Sequence, residues 1–149
     1  MLITLFVCIG FMMAVLYIDL MFDVSAAPYR KTHAVLPKNV LDPITHYYGR
    51  ITQNPYVLMF IMLTAAVSIV AQIVYGLAPR WASYSSLVVM GASMMTGTLK
   101  VIPTAQRLGS AKDSAEEQTR MAHSMLVPHA VLLVNILLLA AIQYVAAVS

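Results

Sequence analysis

Four apolar stretches, each long enough to cross a bilayer, take up most of this chain of 149 residues. They cover residues 2–22, 56–75, 82–102 and 122–147. A membrane-spanning helix needs about 20 predominantly apolar residues to cross the hydrocarbon core of a bilayer. Within lipid, segments like these satisfy their backbone polar groups only as helices. The sequence therefore predicts an all-α bundle of four transmembrane helices, forming a single domain over residues 1–149.

The composition excludes a water-soluble domain and narrows the classes of partner. Hydrophobic residues make up 60% of the chain and charged residues 10%, whereas a soluble domain carries about 25% charged residues. The formal charge of +3 does not indicate nucleic-acid binding, because the basic residues lie in or beside the connections between the apolar stretches. We therefore expect the partners to be the lipid bilayer and other membrane subunits, and we expect no nucleic acid.

The distribution of basic residues predicts how the chain is oriented in the membrane. Eight of the nine Lys and Arg residues belong to one side, and only Arg80 belongs to the other. The eight are Arg30, Lys31, Lys38, Arg50, Lys100, Arg107, Lys112 and Arg120. Because cytoplasmic loops carry an excess of Lys and Arg, we expect both long connections to face the cytoplasm or matrix. Both termini then lie on the non-cytoplasmic side of a bacterial or mitochondrial inner membrane.

The first apolar stretch is expected to remain in the mature chain, although Ser25-Ala26-Ala27 resembles a signal-peptide cleavage site. No Lys or Arg precedes that stretch, and Asp19 and Asp23 lie before the small residues. Both features are unlike a secretory signal.

A short interfacial helix is predicted near residues 43–52, in the first long connection. Asp42 followed by Pro43 is typical of an N-cap and a first helical position. The residues Ile44, Tyr47, Tyr48 and Ile51 would form an apolar and aromatic face. Tyrosines favour the interface between lipid and water, so we expect this helix to lie at the membrane surface.

Other local signals predict where the remaining helices begin, end and pack. Gly76 is a natural end for the second span, Pro103 predicts a kink in the third, and Asp113 to Glu116 predicts a capping box before the fourth. The third span also carries small residues that would let another helix approach closely. These residues are Gly91, Ser93 and Gly97.

Asp19 and Asp23 are four residues apart and share one face of the first helix. A carboxylate inside a membrane is costly, so each needs a partner or a function. The leading interpretation is a structural polar cluster in which Asp19 or Asp23 pairs with Lys100 or Arg107, at the same predicted depth. A metal-ligating or proton-handling role and simple exposure to lipid headgroups are the alternatives.

His123 and His129 lie on the fourth helix. Six residues correspond to about 600° of rotation, so the two rings point about 120° apart and cannot share one metal on a straight helix. The second and third spans contain no histidine, and the lone Cys8 excludes a CxxC pair or a zinc cluster. We therefore expect no metal and no cofactor. A hydrogen bond to a neighbouring helix is the leading role for His129.

Several runs of residues carry a resemblance to known proteins. They are residues 46–52 and 102–109, followed by Asp113, Gln118, residues 121–123 and His129. These runs resemble small bacterial four-helix integral membrane proteins of unknown function, and the layout is similar to that of the anthrone-oxygenase-like membrane family. The resemblance implies a four-helix membrane architecture. It assigns no catalytic residue.

Two classes of function remain open from the sequence. The first is a non-catalytic accessory subunit of a larger membrane complex, favoured by the missing catalytic signature, the small-residue face and the minimal soluble mass. The second is a small, oxygenase-like membrane enzyme acting on a lipophilic substrate at the cytoplasmic membrane edge. In that case His123, His129, Asp19 and Asp23 are the candidate general acids or bases.

Overall fold

The computed structural model describes residues 1–30 and 35–149. Within these ranges the chain is helical apart from short turns and connections, and Lys31, which contributes to the predicted orientation, lies outside them. The helices are α1 (Leu2–Ala26), α2 (Lys38–Ile51), α3 (Tyr56–Tyr75), α4 (Arg80–Thr96), α5 (Ile102–Gly109) and α6 (Ala115–Val148). A short 3₁₀ turn, Ala27–Tyr29, follows α1, and a π-helical turn, Gly97–Val101, joins α4 to α5.

Four helical segments are long and apolar enough to span a membrane. They are Leu2–Tyr29, Tyr56–Tyr75, Arg80–Gly109 and Ala115–Val148. The second has the bounds that the sequence predicts, and the other three extend beyond the predicted 2–22, 82–102 and 122–147. For the described part of the chain, this confirms the predicted all-helical fold with four helices long and apolar enough to span a membrane.

The helices pack around two hydrophobic cores, one above the other. In the first core, α6 packs against α1 and α4, and α3 packs against α1 and α4. Leu5, Ile9 and Met12 from α1 meet Met90 and Ile136 there. In the second core, α2 and α5 pack together and against the ends of α1 and α6. The boundary between the two cores is where the polar residues of α1 lie.

The helix predicted in the first connection is present, but it begins earlier and has a different cap. It starts after Pro37 rather than at Asp42, so Pro43 lies inside the helix instead of in its first turn. The backbone carbonyl of Asp42 accepts a hydrogen bond from the Thr45 hydroxyl at 3.0 Å. Because its apolar face packs on α5, α2 belongs to the bundle and covers one end of it.

A π-helical turn lies where the sequence predicts a kink in the third span. Pro103 has no N–H and its ring crowds the preceding turn, so it disturbs a regular α-helix. The π turn comes directly before α5, in which Pro103 is the second residue. The last residue of the π turn, Val101, and the first residue of α5, Ile102, line two cavities inside the bundle.

The predicted end of α3 at Gly76 is confirmed, whereas the N-cap of α6 lies one residue later than predicted. Gly76 ends α3 with φ of +61°, as predicted for a glycine in the left-handed conformation. At α6, Ser114 rather than Asp113 is the N-cap, since its hydroxyl accepts from the Glu117 N–H at 3.3 Å. Asp113 instead accepts two hydrogen bonds from Arg107, which lower the pKa of its carboxyl group.

The backbones of α2 and α5 approach each other closely at Gly49 and Gly109. A Cβ built on Gly109 would lie 2.6 Å from the Tyr48 carbonyl carbon, and one built on Gly49 would lie 2.9 Å from the Gly109 oxygen. On α4, by contrast, a Cβ on Gly91 would meet nothing within 4 Å. Backbone atoms cannot move aside as a flexible side chain can, so both α2 and α5 depend on these glycines for their contact.

The variant Gly109→Ala should therefore destabilise the protein, by about 1–3 kcal/mol for overpacking at a site that cannot relax. The matched control is Gly91→Ala, which should be neutral or slightly stabilising, because alanine favours the helix and has room. The free energy of unfolding in mixed detergent micelles, from SDS titration, measures both. Equal stability of the two variants would contradict the described α2–α5 contact.

Candidate functional site

Two buried carboxylates on α1 form the base of the candidate site. Asp19 and Asp23 lie on one face of the helix, between the two hydrophobic cores, and their residues are 5% and 1% exposed. A carboxylate so far from water needs hydrogen-bond donors around it. The donors come from α2 and α6, the two helices that pack against this end of α1.

Asp23 is bound by one phenol and one imidazole. Its Oδ1 accepts a hydrogen bond from the Tyr48 hydroxyl at 2.7 Å, and its Oδ2 lies 2.6 Å from His129 Nδ1. An ionised carboxylate can only accept, so the proton of a neutral His129 ring belongs on Nδ1. The lone pair of the ring is then on Nε2, which faces the opposite direction.

Asp19 lies on that opposite side of the imidazole. Its Oδ1 accepts a hydrogen bond from the Tyr47 hydroxyl at 2.7 Å, and its Oδ2 lies 3.7 Å from His129 Nε2. This separation is within ion-pairing reach but too long for a hydrogen bond. His129 is only 1% exposed, and a carboxyl group lies near each of its two ring nitrogens. Asp23 is hydrogen-bonded to Nδ1, whereas Asp19 lies near Nε2 without a hydrogen bond.

The two tyrosines remain protonated and hold the site in shape. Burial, together with the charge of the neighbouring carboxylate, raises the pKa of Tyr47 and of Tyr48 well above the ordinary value for a phenol. Both hydroxyls therefore stay hydrogen-bond donors over the physiological pH range. Phe22 stacks on Tyr47 with ring centroids 4.1 Å apart, and the ring of Tyr48 lies parallel to that of His129 at 6.3 Å.

Two cavities meet at this cluster. The larger, of about 300 Å³, extends from His129 between α1, α2 and the first turn of α3. The smaller, of about 70 Å³, continues from His129 into the apolar core of the bundle. Both are lined by Val15, Asp19, Leu58, Val101, Ile102 and His129. The cluster therefore has polar atoms at the junction of two largely apolar spaces.

The predicted pairing of Asp19 or Asp23 with Lys100 or Arg107 is wrong. Arg107 lies on an exposed face of α5 and pairs with Asp113 at 2.8 Å and with Glu117 at 3.2 Å. Lys100 is exposed on the π turn. The carboxyl groups of Asp19 and Asp23 are instead bound by phenol and imidazole groups from α2 and α6.

The two histidines of α6 have different positions. His129 belongs to the site, and its predicted hydrogen bond to a neighbouring helix is the one to Asp23 on α1. His123 lies two turns earlier, with Nε2 3.1 Å from the backbone oxygen of Ala26, so it connects α6 to the end of α1 outside the cluster. Ser93 and Gly97 are buried and line the smaller cavity, while Gly91 is only partly buried.

Sequence reasoning did not predict that Tyr47 and Tyr48 contact the aspartates of α1. It placed them on a helix at the membrane surface, with no partner on α1. A usable signal was present, since two carboxylates on one helix face need donors, and two adjacent tyrosines on an amphipathic helix can supply them.

A second buried polar cluster lies at the other end of the bundle and is chemically different. Gln72 and Gln143 exchange amide hydrogen bonds of 2.9 and 3.2 Å, and Gln143 also donates to the Ser86 hydroxyl at 2.8 Å. These bonds join α3, α4 and α6. The groups are uncharged and mutually bonded, so this cluster serves packing and contains no proton-transfer group.

Comparison with known proteins adds no family assignment. No protein-family model, no curated protein and no solved structure matches the chain. Among residues 1–30 and 35–149, no group of three His, Cys, Asp or Glu side chains is arranged to hold a metal ion. The geometry around His129 therefore carries the functional inference.

The variant Tyr48→Phe should destabilise the protein, because it leaves the buried Oδ1 of Asp23 without its donor. The cost of an unsatisfied buried acceptor is about 1–3 kcal/mol, and more for a charged one. Tyr17→Phe is the control, since Tyr17 is exposed on the same bundle and should change the unfolding free energy by less than about 0.5 kcal/mol. SDS titration of both variants measures the difference. A cost for Tyr48→Phe no larger than the control's would contradict the Asp23 contact.

Proposed function

We propose that the protein is a small membrane enzyme in which His129 exchanges a proton with a lipophilic substrate bound in the two cavities. One observation carries this proposal. Nδ1 of His129 is bound to Asp23, while Nε2 lies 3.7 Å from Asp19, and both His129 and Asp19 line the two cavities. An imidazole held by a carboxylate at one nitrogen is a common arrangement for a general base.

The chemistry follows from this geometry. The Nε2 lone pair takes a proton from an O–H or N–H group of the substrate, and the bonding electron pair stays on the oxygen or nitrogen. The imidazolium that forms lies between Asp19 and Asp23, whose negative charges stabilise it in a site of low dielectric. The same N–H returns the proton to the product, which restores the neutral ring.

Each neighbour of His129 has a separate part in this scheme. Asp23, fixed by Tyr48, orients the ring and selects its tautomer. Asp19, fixed by Tyr47, adds charge stabilisation on the side where the substrate binds. General acid–base catalysis by a positioned side chain accelerates a reaction by about 10²–10⁴-fold. We assign an acceleration of this size to His129.

The cavities favour an enzyme over a purely accessory subunit. A space of about 300 Å³ is at the lower end of the range for small-molecule sites, and such sites combine apolar walls with a few polar groups. An accessory subunit requires no such space. The small residues that would have offered a docking face are partly used inside the bundle, because Ser93 and Gly97 are buried.

The orientation proposed from the basic residues places α2 and the His129 site toward the cytoplasm or matrix, with both termini opposite. The support is the positive-inside bias of the two long connections. In a Cys8→Ala background, single cysteines replacing Lys112 and Ser149 should react with an impermeant maleimide from opposite sides of the membrane. Labelling of both from the same side would contradict the orientation.

The functional test compares His129→Gln with His46→Gln in the native host. His46 is an exposed histidine of α2 and serves as the matched control. At equal protein levels, mass spectrometry of membrane-lipid extracts should show a lipophilic compound that accumulates with His129→Gln and not with His46→Gln. In nanodiscs, His129→Gln should convert that compound about 100-fold more slowly or worse.

A different outcome would favour an accessory subunit. If extracts from the two variants match the wild type, and all three proteins purify with the same larger membrane complex, the accessory-subunit interpretation is correct and the enzyme proposal is wrong.

A further inference from the structure

The charge of the residues around the two cavities restricts what can bind there. Among residues 1–30 and 35–149, neither lining contains a Lys or Arg, and the ionisable groups that line the cavities are Asp19, Tyr47, Tyr48 and His129. Asp23 lies directly behind His129. The carboxyl groups of Asp19 and Asp23 can carry only negative charge, and they lie near both nitrogens of His129. An anionic headgroup placed at Nε2 would meet no Lys or Arg from the described part of the lining, and an unpaired charge is costly at membrane depth.

The walls of the larger cavity indicate the route by which a ligand reaches His129. Its outer part is formed by Phe11 and Ile18 of α1 and by Val57 in the first turn of α3, which are 42%, 45% and 53% exposed. These apolar side chains lie within the spans Leu2–Tyr29 and Tyr56–Tyr75, on surfaces that the other helices leave uncovered. The opening between them therefore faces the acyl chains of the bilayer.

The far side of His129 offers space for an apolar part of the same ligand. The smaller cavity continues between α1, α4 and α6, and its walls include Met12, Met90 and Ile136. Val15 and Leu58 line both cavities, so they form the passage between the opening and the interior. A ligand with one polar group and an apolar body fits this arrangement, with the polar group at His129 and the apolar body along the cavity walls.

We propose that the substrate is an amphiphile with a neutral or cationic hydrogen-bond-donating head, which enters sideways from the bilayer between α1 and the first turn of α3. Lipids with a carboxylate or phosphate head are excluded by the carboxylates of the site. This inference rests on the proposed function, because the donating head is the group that gives its proton to His129. A hydroxyl and an ammonium head share the chemistry required.

Three probes with the same chain separate the headgroups: dodecanol, dodecylamine and dodecanoate. The protein is labelled with ¹⁵N-histidine in phosphatidylcholine nanodiscs, and the ring signals of His129 are identified by their loss in His129→Gln. Dodecanol or dodecylamine should shift these signals at a mole fraction at least about 10-fold lower than dodecanoate requires, since the carboxylate of dodecanoate and those of the site repel each other.

Two variants test the charge and the route separately. Asp19→Asn keeps the shape of the site but removes one negative charge, so dodecanoate should bind more nearly like dodecanol. Val15→Trp fills the passage between the cavities and should weaken the favoured probe about 10-fold or more. Its control is Val7→Trp, on the exposed face of α1 and outside both linings, which should leave binding unchanged.

The outcomes are distinguishable. Equal binding of dodecanoate and dodecanol to the wild type, or unchanged binding in a folded Val15→Trp protein, overturns this inference and leaves the proton-transfer role of His129 standing. If none of the three probes perturbs His129 in the wild type or in Asp19→Asn, the cavities hold no amphiphile, and both this inference and the proposed function fail.

Discussion

The hydrogen bond between Asp23 on α1 and His129 on α6 is the interaction on which the rest of the structure depends. Asp23 Oδ2 and His129 Nδ1 are 2.6 Å apart, and both side chains are almost fully buried. A carboxylate removed from water in this way is stable only if its oxygens are occupied by good donors. The second donor to Asp23 is Tyr48, and α2 can supply it only by docking onto the bundle.

That requirement explains features that are otherwise unconnected. The docked position of α2 brings its backbone against α5, where Gly49 and Gly109 allow the close approach. It also closes one end of the larger cavity, whose walls include Tyr47 and Tyr48. The polar network and the cavity thus arise from the same packing. The groups that bind the buried carboxyl groups also orient the ring of His129 and select its tautomer.

The sequence predicts the four long apolar helices well, because their extent depends on local properties. The run of apolar residues from 56 to 75 matches α3 at both ends, and Gly76 ends it in the predicted conformation. Such signals require only the length of an apolar segment or the backbone freedom of one residue. They contain no information about how each helix is rotated toward its neighbours.

The site could be predicted only in part for that reason. The spacing of Asp19 and Asp23 correctly places both on one face of α1, but the choice of partner depends on helix rotation and on where α2 docks. Lys100 lies at a suitable depth by sequence and yet is exposed. Arg107 finds Asp113 nearby in the chain, which also moves the cap of α6 to Ser114. Tyr47 and Tyr48 reach the aspartates across 28 and 25 residues of sequence.

The most direct measurement of the central claim is the tautomer of His129, read from its ¹⁵N ring shifts in nanodiscs at neutral pH. In the wild type, the ring of His129 should carry its proton on Nδ1 and its lone pair on Nε2. Asp23→Asn should move the proton toward Nε2, because an amide can donate to Nδ1, whereas Asp19→Asn should leave it on Nδ1. A wild-type ring protonated on Nε2 alone, or an identical response to the two substitutions, would show that Asp23 does not hold Nδ1 of His129 as described.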